Sequence, residues 1–87
     1  MKEVLIKSRQ EQEKYIKQLE FYIKFFNKNY YLIDEEEEED YEFMINELMK
    51  LYKELTETKN VPKHNMNKVL NNANDLYYHM KELYIDL

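Results

Sequence analysis

The sequence has no glycine, no cysteine, no tryptophan and one proline in 87 residues. Phosphate-cradling loops, tight β-hairpins and Rossmann crossings need glycine where φ is positive or where a backbone must approach closely. Without it, long uninterrupted helices are the natural architecture. Without cysteine, disulfide frameworks, zinc ribbons and thiol catalysis drop out together. No run approaches the roughly 18 apolar residues needed to span a bilayer, and no charged-then-apolar leader opens the chain. A cytosolic protein without membrane contact is therefore expected. The length allows one small domain, which buries only about 60% of its unfolded surface and depends on regular packing or on oligomerisation.

What is present is helical periodicity. Met66, Val69, Ala73, Leu76, Met80, Leu83 and Leu87 recur at alternating spacings of three and four, the mark of one buried helix face. Pro62 suits the first turn, where its missing N–H costs nothing, and predicts a helix over 62–86. A second seam runs through Tyr41, Ile45, Leu48, Tyr52 and Leu55, flanked by Met44 and Leu51. Asp34 is its candidate N-cap, with Glu37 completing a capping box, and the helix is predicted over 35–59. The first seam, Ile16, Leu19, Ile23, Phe26, Tyr30 and Ile33, turns polar at Gln12 and Arg9 when traced backward. Ser8 with Glu11 would start a helix at that point and leave Val4 to Ile6 extended. A lone strand has no partner, however, so the longer helix over 2–29 is expected. Two short connections then require an antiparallel all-α three-helix bundle with coiled-coil-like packing in a single domain.

Charge is distributed unevenly. Residues 1–33 carry 7 basic and 4 acidic side chains, residues 34–57 carry 2 and 11, and residues 58–87 carry 4 and 3. The net charge of −5 thus conceals a segment of −9 between two mildly basic ones. Asp34, Glu35, Glu36, Glu37, Glu38, Glu39, Asp40 and Glu42 make eight of nine consecutive residues acidic, Tyr41 being the exception. Like charges one helical turn apart each destabilise by roughly 0.2–0.5 kcal/mol. The helix macrodipole offsets part of that only in the first turn. The run is either a solvated helix start or a surface that imitates nucleic-acid phosphates toward a basic groove. Antiparallel packing would also set the lysines of the first helix, Lys14, Lys17, Lys24 and Lys28, against it.

Catalytic and metal patterns are missing. His64 and His79 have no HExxH context, the acidic run has no EF-hand glycine, and the only serine, Ser8, has no nucleophile-elbow setting. No catalytic residue, metal or cofactor is expected. The aromatics, 15% of residues, exceed what three seams require. Phe21, Phe25 and Leu32 fall opposite the first seam and suggest a homodimer contact, while Phe43, Tyr78 and Ile85 also take outward positions.

In size, acidity and helicity the chain resembles phage inhibitors of bacterial defence, antitoxins and bacteriocin immunity proteins, although it carries no diagnostic motif of any of them. The likeness lies in class alone, and it is the acidic run that makes a non-enzymatic inhibitor, binding and blocking a nucleic-acid-handling protein such as a CRISPR effector, the first expectation. Asp34–Glu42 would enter the partner's basic groove, and Phe43 and Tyr78 would anchor the contact. Direct nucleic-acid binding is not expected. The alternatives are a homodimeric assembly module or an antitoxin-type protein.

Overall fold

Three helices form where the apolar period is unbroken. The computed structural model describes residues 4–57 and 61–86, and within them α1 spans Arg9–Asn29, α2 spans Glu38–Glu57 and α3 spans Lys63–Met80. The helices pack on one another as an antiparallel three-helix bundle. Their directions can be read from single contacts. Tyr15 donates a hydrogen bond to Asn67 Oδ1 at 3.1 Å and Tyr22 donates to Asn74 Oδ1 at 3.0 Å. Both partners advance by seven residues, so α1 and α3 run parallel. Between them α2 runs the opposite way, since Tyr41 at its start meets Phe26 near the end of α1 and Glu37 meets His79 near the end of α3.

Tyr41, Met44, Ile45, Leu48, Leu51 and Leu55 make α2 the most deeply buried helix, whereas α1 contributes only Leu19 and Phe26 in full. Each such side chain removed from water stabilises by about 1.5–3 kcal/mol, so the helix with the most acidic start also anchors the core. No charged side chain is buried among the described residues.

The first helix begins at Arg9, not near residue 2 as expected (residues 1–3 lie outside the described residues). Ser8 caps it with an extended backbone at φ −68° and ψ 135°. The preceding segment does find a partner, namely the connector before α3. Ile6 N–H donates to Val61 O at 2.9 Å and Lys63 N–H donates to Val4 O at 2.7 Å, making an isolated antiparallel bridge between Leu5 and Pro62. Pro62 occupies the position in this pair whose N–H is not needed, which is where a strand tolerates proline. Ile6 and Val61 are fully buried by the arrangement. They fill the end of the core that Gln12 and Arg9 leave polar.

At the other end of α1, Asn27 and Asn29 donate from their side chains to the carbonyls of Ile23 and Phe25. These carbonyls already accept the i+4 N–H groups of the helix, so the side-chain bonds are added back-bonds of the kind asparagine makes in a last turn. A 3-10 turn, Tyr30–Leu32, comes next, and a second one, Glu35–Glu37, leads into α2. The expected end of α2 near Lys59 lies outside the described residues. The third helix also differs from expectation, because Pro62 is its N-cap and its last turn, Lys81–Ile85, is a π-turn closed by Asp86 N–H on Lys81 O at 2.6 Å. A π-turn holds more residues than an α-turn and so shifts the facing of its side chains. Leu83 is accordingly exposed while Tyr84 packs against the core. Leu87 lies outside the described residues.

Candidate functional site

The acidic run divides at Glu37. The two predicted capping boxes do not form, and both of their glutamates reach α3 instead. Glu11 Oε2 lies 2.6 Å from Lys63 Nζ at the start of α3, and this contact raises the Lys63 pKa. Glu37 takes the same role at the other end of the helix. Its Oε2 lies 2.7 Å from His79 Nε2, and its Oε1 accepts a hydrogen bond from the Tyr84 hydroxyl. The Tyr84 oxygen in turn accepts from the Asp34 N–H at 3.3 Å. Tyr84 and then His79 hold the Glu37 carboxyl below the ordinary carboxylate range against the opposing effect of burial. The same contact pushes the Tyr84 hydroxyl up.

That direction sets a pH dependence. A carboxyl whose pKa is lowered by folding stabilises the fold fully above its unfolded value, and the contribution is lost as the pH falls through the lowered one. Glu37→Gln should therefore lose less stability than the parent chain between about pH 6 and about pH 3. Denaturant midpoints at both pH values check this, and equal losses in the two proteins would refute the assignment.

The other seven carboxylates, Asp34, Glu35, Glu36, Glu38, Glu39, Asp40 and Glu42, are exposed. Among the described residues none of the seven meets a cation within ion-pair distance. The Tyr30 hydroxyl pKa is raised first by burial and then by the neighbouring carboxylates of Glu42 and Glu38. The expected pairing with the lysines of α1 is not made. Lys24 and Arg9 bridge to Glu20 and Glu13 within their own helix, and Lys14, Lys17 and Lys28 are exposed. The physical reason is that α1 turns its apolar face toward α2, and an exposed ion pair gains too little to reverse that.

Beside the acidic run an open groove of about 790 Å³ lies between α2 and α3, lined by Glu39, Asp40, Phe43, Asn72, Asp75 and His79 among others. Phe43, 64% exposed, therefore does adjoin the carboxylates. Tyr78 does not join them. It stands against Tyr77, with ring centroids 5.2 Å apart, in an aromatic cluster between α1 and α3. The same cluster takes up Phe25, whose ring centroid lies 4.6 Å from that of Tyr77. Phe25 and Leu32 are half-buried, and of the three residues expected opposite the first seam only Phe21 is exposed. That face of α1 looks toward α3. The groove residues Asn72 and Asp75 were not legible as a site, since only the packing of α3 on α2 carries them to the acidic edge.

Among the described residues no three His, Asp or Glu side chains are grouped so as to hold a metal ion, and no helix is long and apolar enough to cross a membrane. Fold and edge together define a small all-α bundle with one concentrated, unneutralised acidic edge. The chain matches no protein-family model, no curated protein and no solved structure.

Proposed function

We propose that this protein is a non-enzymatic binding protein whose acidic edge occupies the basic groove of a nucleic-acid-handling protein and blocks it. The observation that carries the reading is linear charge density. Seven exposed carboxylates lie along a 3-10 turn and the first α-turns, a rise of roughly 14 Å, or about one charge per 2 Å. Duplex DNA carries one per about 1.7 Å. A groove built to receive phosphates is therefore offered a similar density on a rigid support, and long-range attraction speeds the encounter. Phe43 adds an apolar contact at the edge. An inhibitor of the anti-defence type, encoded by a phage and acting in the host cytosol, is one setting in which such mimicry serves. Self-association through Phe21, Phe25 and Leu32 has less support, because the rings of Phe21 and Phe25 both pack against Tyr77 of the same chain.

The test is a charge reversal combining Glu35→Lys, Glu36→Lys, Glu38→Lys and Glu39→Lys. Immobilised parent protein is expected to retain nucleic-acid-binding proteins from a nuclease-treated lysate and to release them to added duplex DNA. The variant should retain none while its circular dichroism stays helical. Equal retention by the variant, or indifference to DNA, would sink the mimic.

A further inference from the structure

Along the solvent side of α2, Glu39, Glu42, Phe43, Asn46, Met49, Lys50 and Lys53 form one exposed ridge at helical spacings of three and four. Between Glu39 and Lys53 its charges are sorted by end, and the exposed Glu57, one turn beyond Lys53, lies past that stretch. Both carboxylates precede Asn46 and both lysines come after it. Glu42 and Lys50 each lie four residues from Asn46, and Glu39 and Lys53 each lie seven residues from it. Phe43 and Met49, 64% and 52% exposed, stand three residues to either side. None of the four charged groups forms an ion pair among the described residues.

We infer that the ridge is a self-complementary surface on which a second copy of this chain docks, α2 against α2 and antiparallel, about a two-fold axis at Asn46. A two-fold contact presents the same patch from both subunits. In this register Glu42 faces Lys50 of the second copy, Glu39 faces Lys53 of the second copy, and both pairs recur by symmetry. A parallel arrangement would set acid on acid and lysine on lysine, so the charge order selects one orientation. Asn46 meets its own counterpart, and a polar residue at such a position helps to fix register. Beside the ridge a groove of about 670 Å³ is lined by Ile23, Met49 and Tyr52 together with Lys50, Lys53 and the Lys24–Glu20 pair. The carboxylates of the second copy approach that groove.

The ridge is about 21 Å long, shorter than a standard interface requires, so the dimer is weak, reversible and sensitive to salt. It goes beyond the functional reading above. Asp34, Glu35, Glu36 and Asp40 stay outside the contact, and the pairing places two acidic starts about 30 Å apart at opposite ends.

Sedimentation of the full chain over a concentration series at low ionic strength tests the inference. The parent protein is expected to approach the mass of two chains and to dissociate on addition of salt. Glu42→Lys and Lys50→Glu, each creating like-charge contacts twice over, should weaken the dimer about tenfold or more. Combining them restores opposite charges and should recover most of the loss. Phe43→Ser should also weaken the dimer, with circular dichroism unchanged in every variant. A parent chain that stays monomeric at the highest concentration, single variants without effect, or a double variant no better than the singles would overturn the two-fold. Lys50→Glu leaves the acidic run intact, so capture of a basic partner by that variant is judged separately.

Discussion

Ile6→Ala is expected to lower stability by about 2–5 kcal/mol, although Ile6 lies outside every helix. A domain of this length is held by roughly 4–13 kcal/mol, so one strap residue supports a large share of it. The argument rests on burial. Ile6 is fully buried beside Val61 and Met66 in one core, and its N–H is bonded to Val61 O. Truncation leaves a cavity that the two backbone bonds of the bridge keep from collapsing. Val4→Ser is the control, since Val4 is exposed and supplies only its carbonyl, and it should stay within about 0.5 kcal/mol of the parent. Chemical denaturation of both variants gives the comparison. Equal midpoints would show that the strap is not part of the folded core.

Tyr41→Phe should raise stability, by about 1–3 kcal/mol. Among the described residues the buried Tyr41 hydroxyl has no hydrogen-bond partner, and its pKa is driven strongly upward, first by burial and then by Glu37, Tyr84 and Asp40 nearby. A buried hydroxyl with no partner has lost its water and gained nothing in return. Phenylalanine keeps the ring, which packs edge-on against Phe26 at 5.8 Å between centroids, and removes only the uncompensated oxygen. For a domain of this size each kcal/mol moves the melting temperature by roughly 4–8 °C. Tyr41→Ala removes the ring as well and should cost about 3–5 kcal/mol. A melting temperature that falls for Tyr41→Phe would mean that the hydroxyl is bonded, for example to a buried water.

The periodic elements were legible because periodicity is a local property. Of the seam Tyr41, Ile45, Leu48, Tyr52 and Leu55 all but the half-buried Tyr52 are buried, and of the third seam Met66, Val69, Ala73 and Met80 are buried, Leu76 half-buried and Leu83 exposed. Capping signals were legible in backbone only. Ser8 and Asp34 do take extended cap conformations, yet Glu11 and Glu37 turn to Lys63, His79 and Tyr84, partners more than forty residues away. The eight carboxylates were visible as a cluster. That seven are unneutralised while Glu37 is clamped was not, because a residue's partner across a bundle leaves no trace in its own neighbourhood.

By itself, the sequence determined that this chain is a glycine-free bundle of three helices with its acidity concentrated around the start of the second. Spacing and charge order are properties of consecutive residues, and they survive any arrangement in space. Only the tertiary structure decided that Val4–Ile6 pair with the connector, that Phe25 joins Tyr77 while Phe43 stands free beside Asp75, and that Leu83 is rotated out by a π-turn. Each of these depends on which surfaces meet, and packing between distant segments settles that after local preferences have been satisfied.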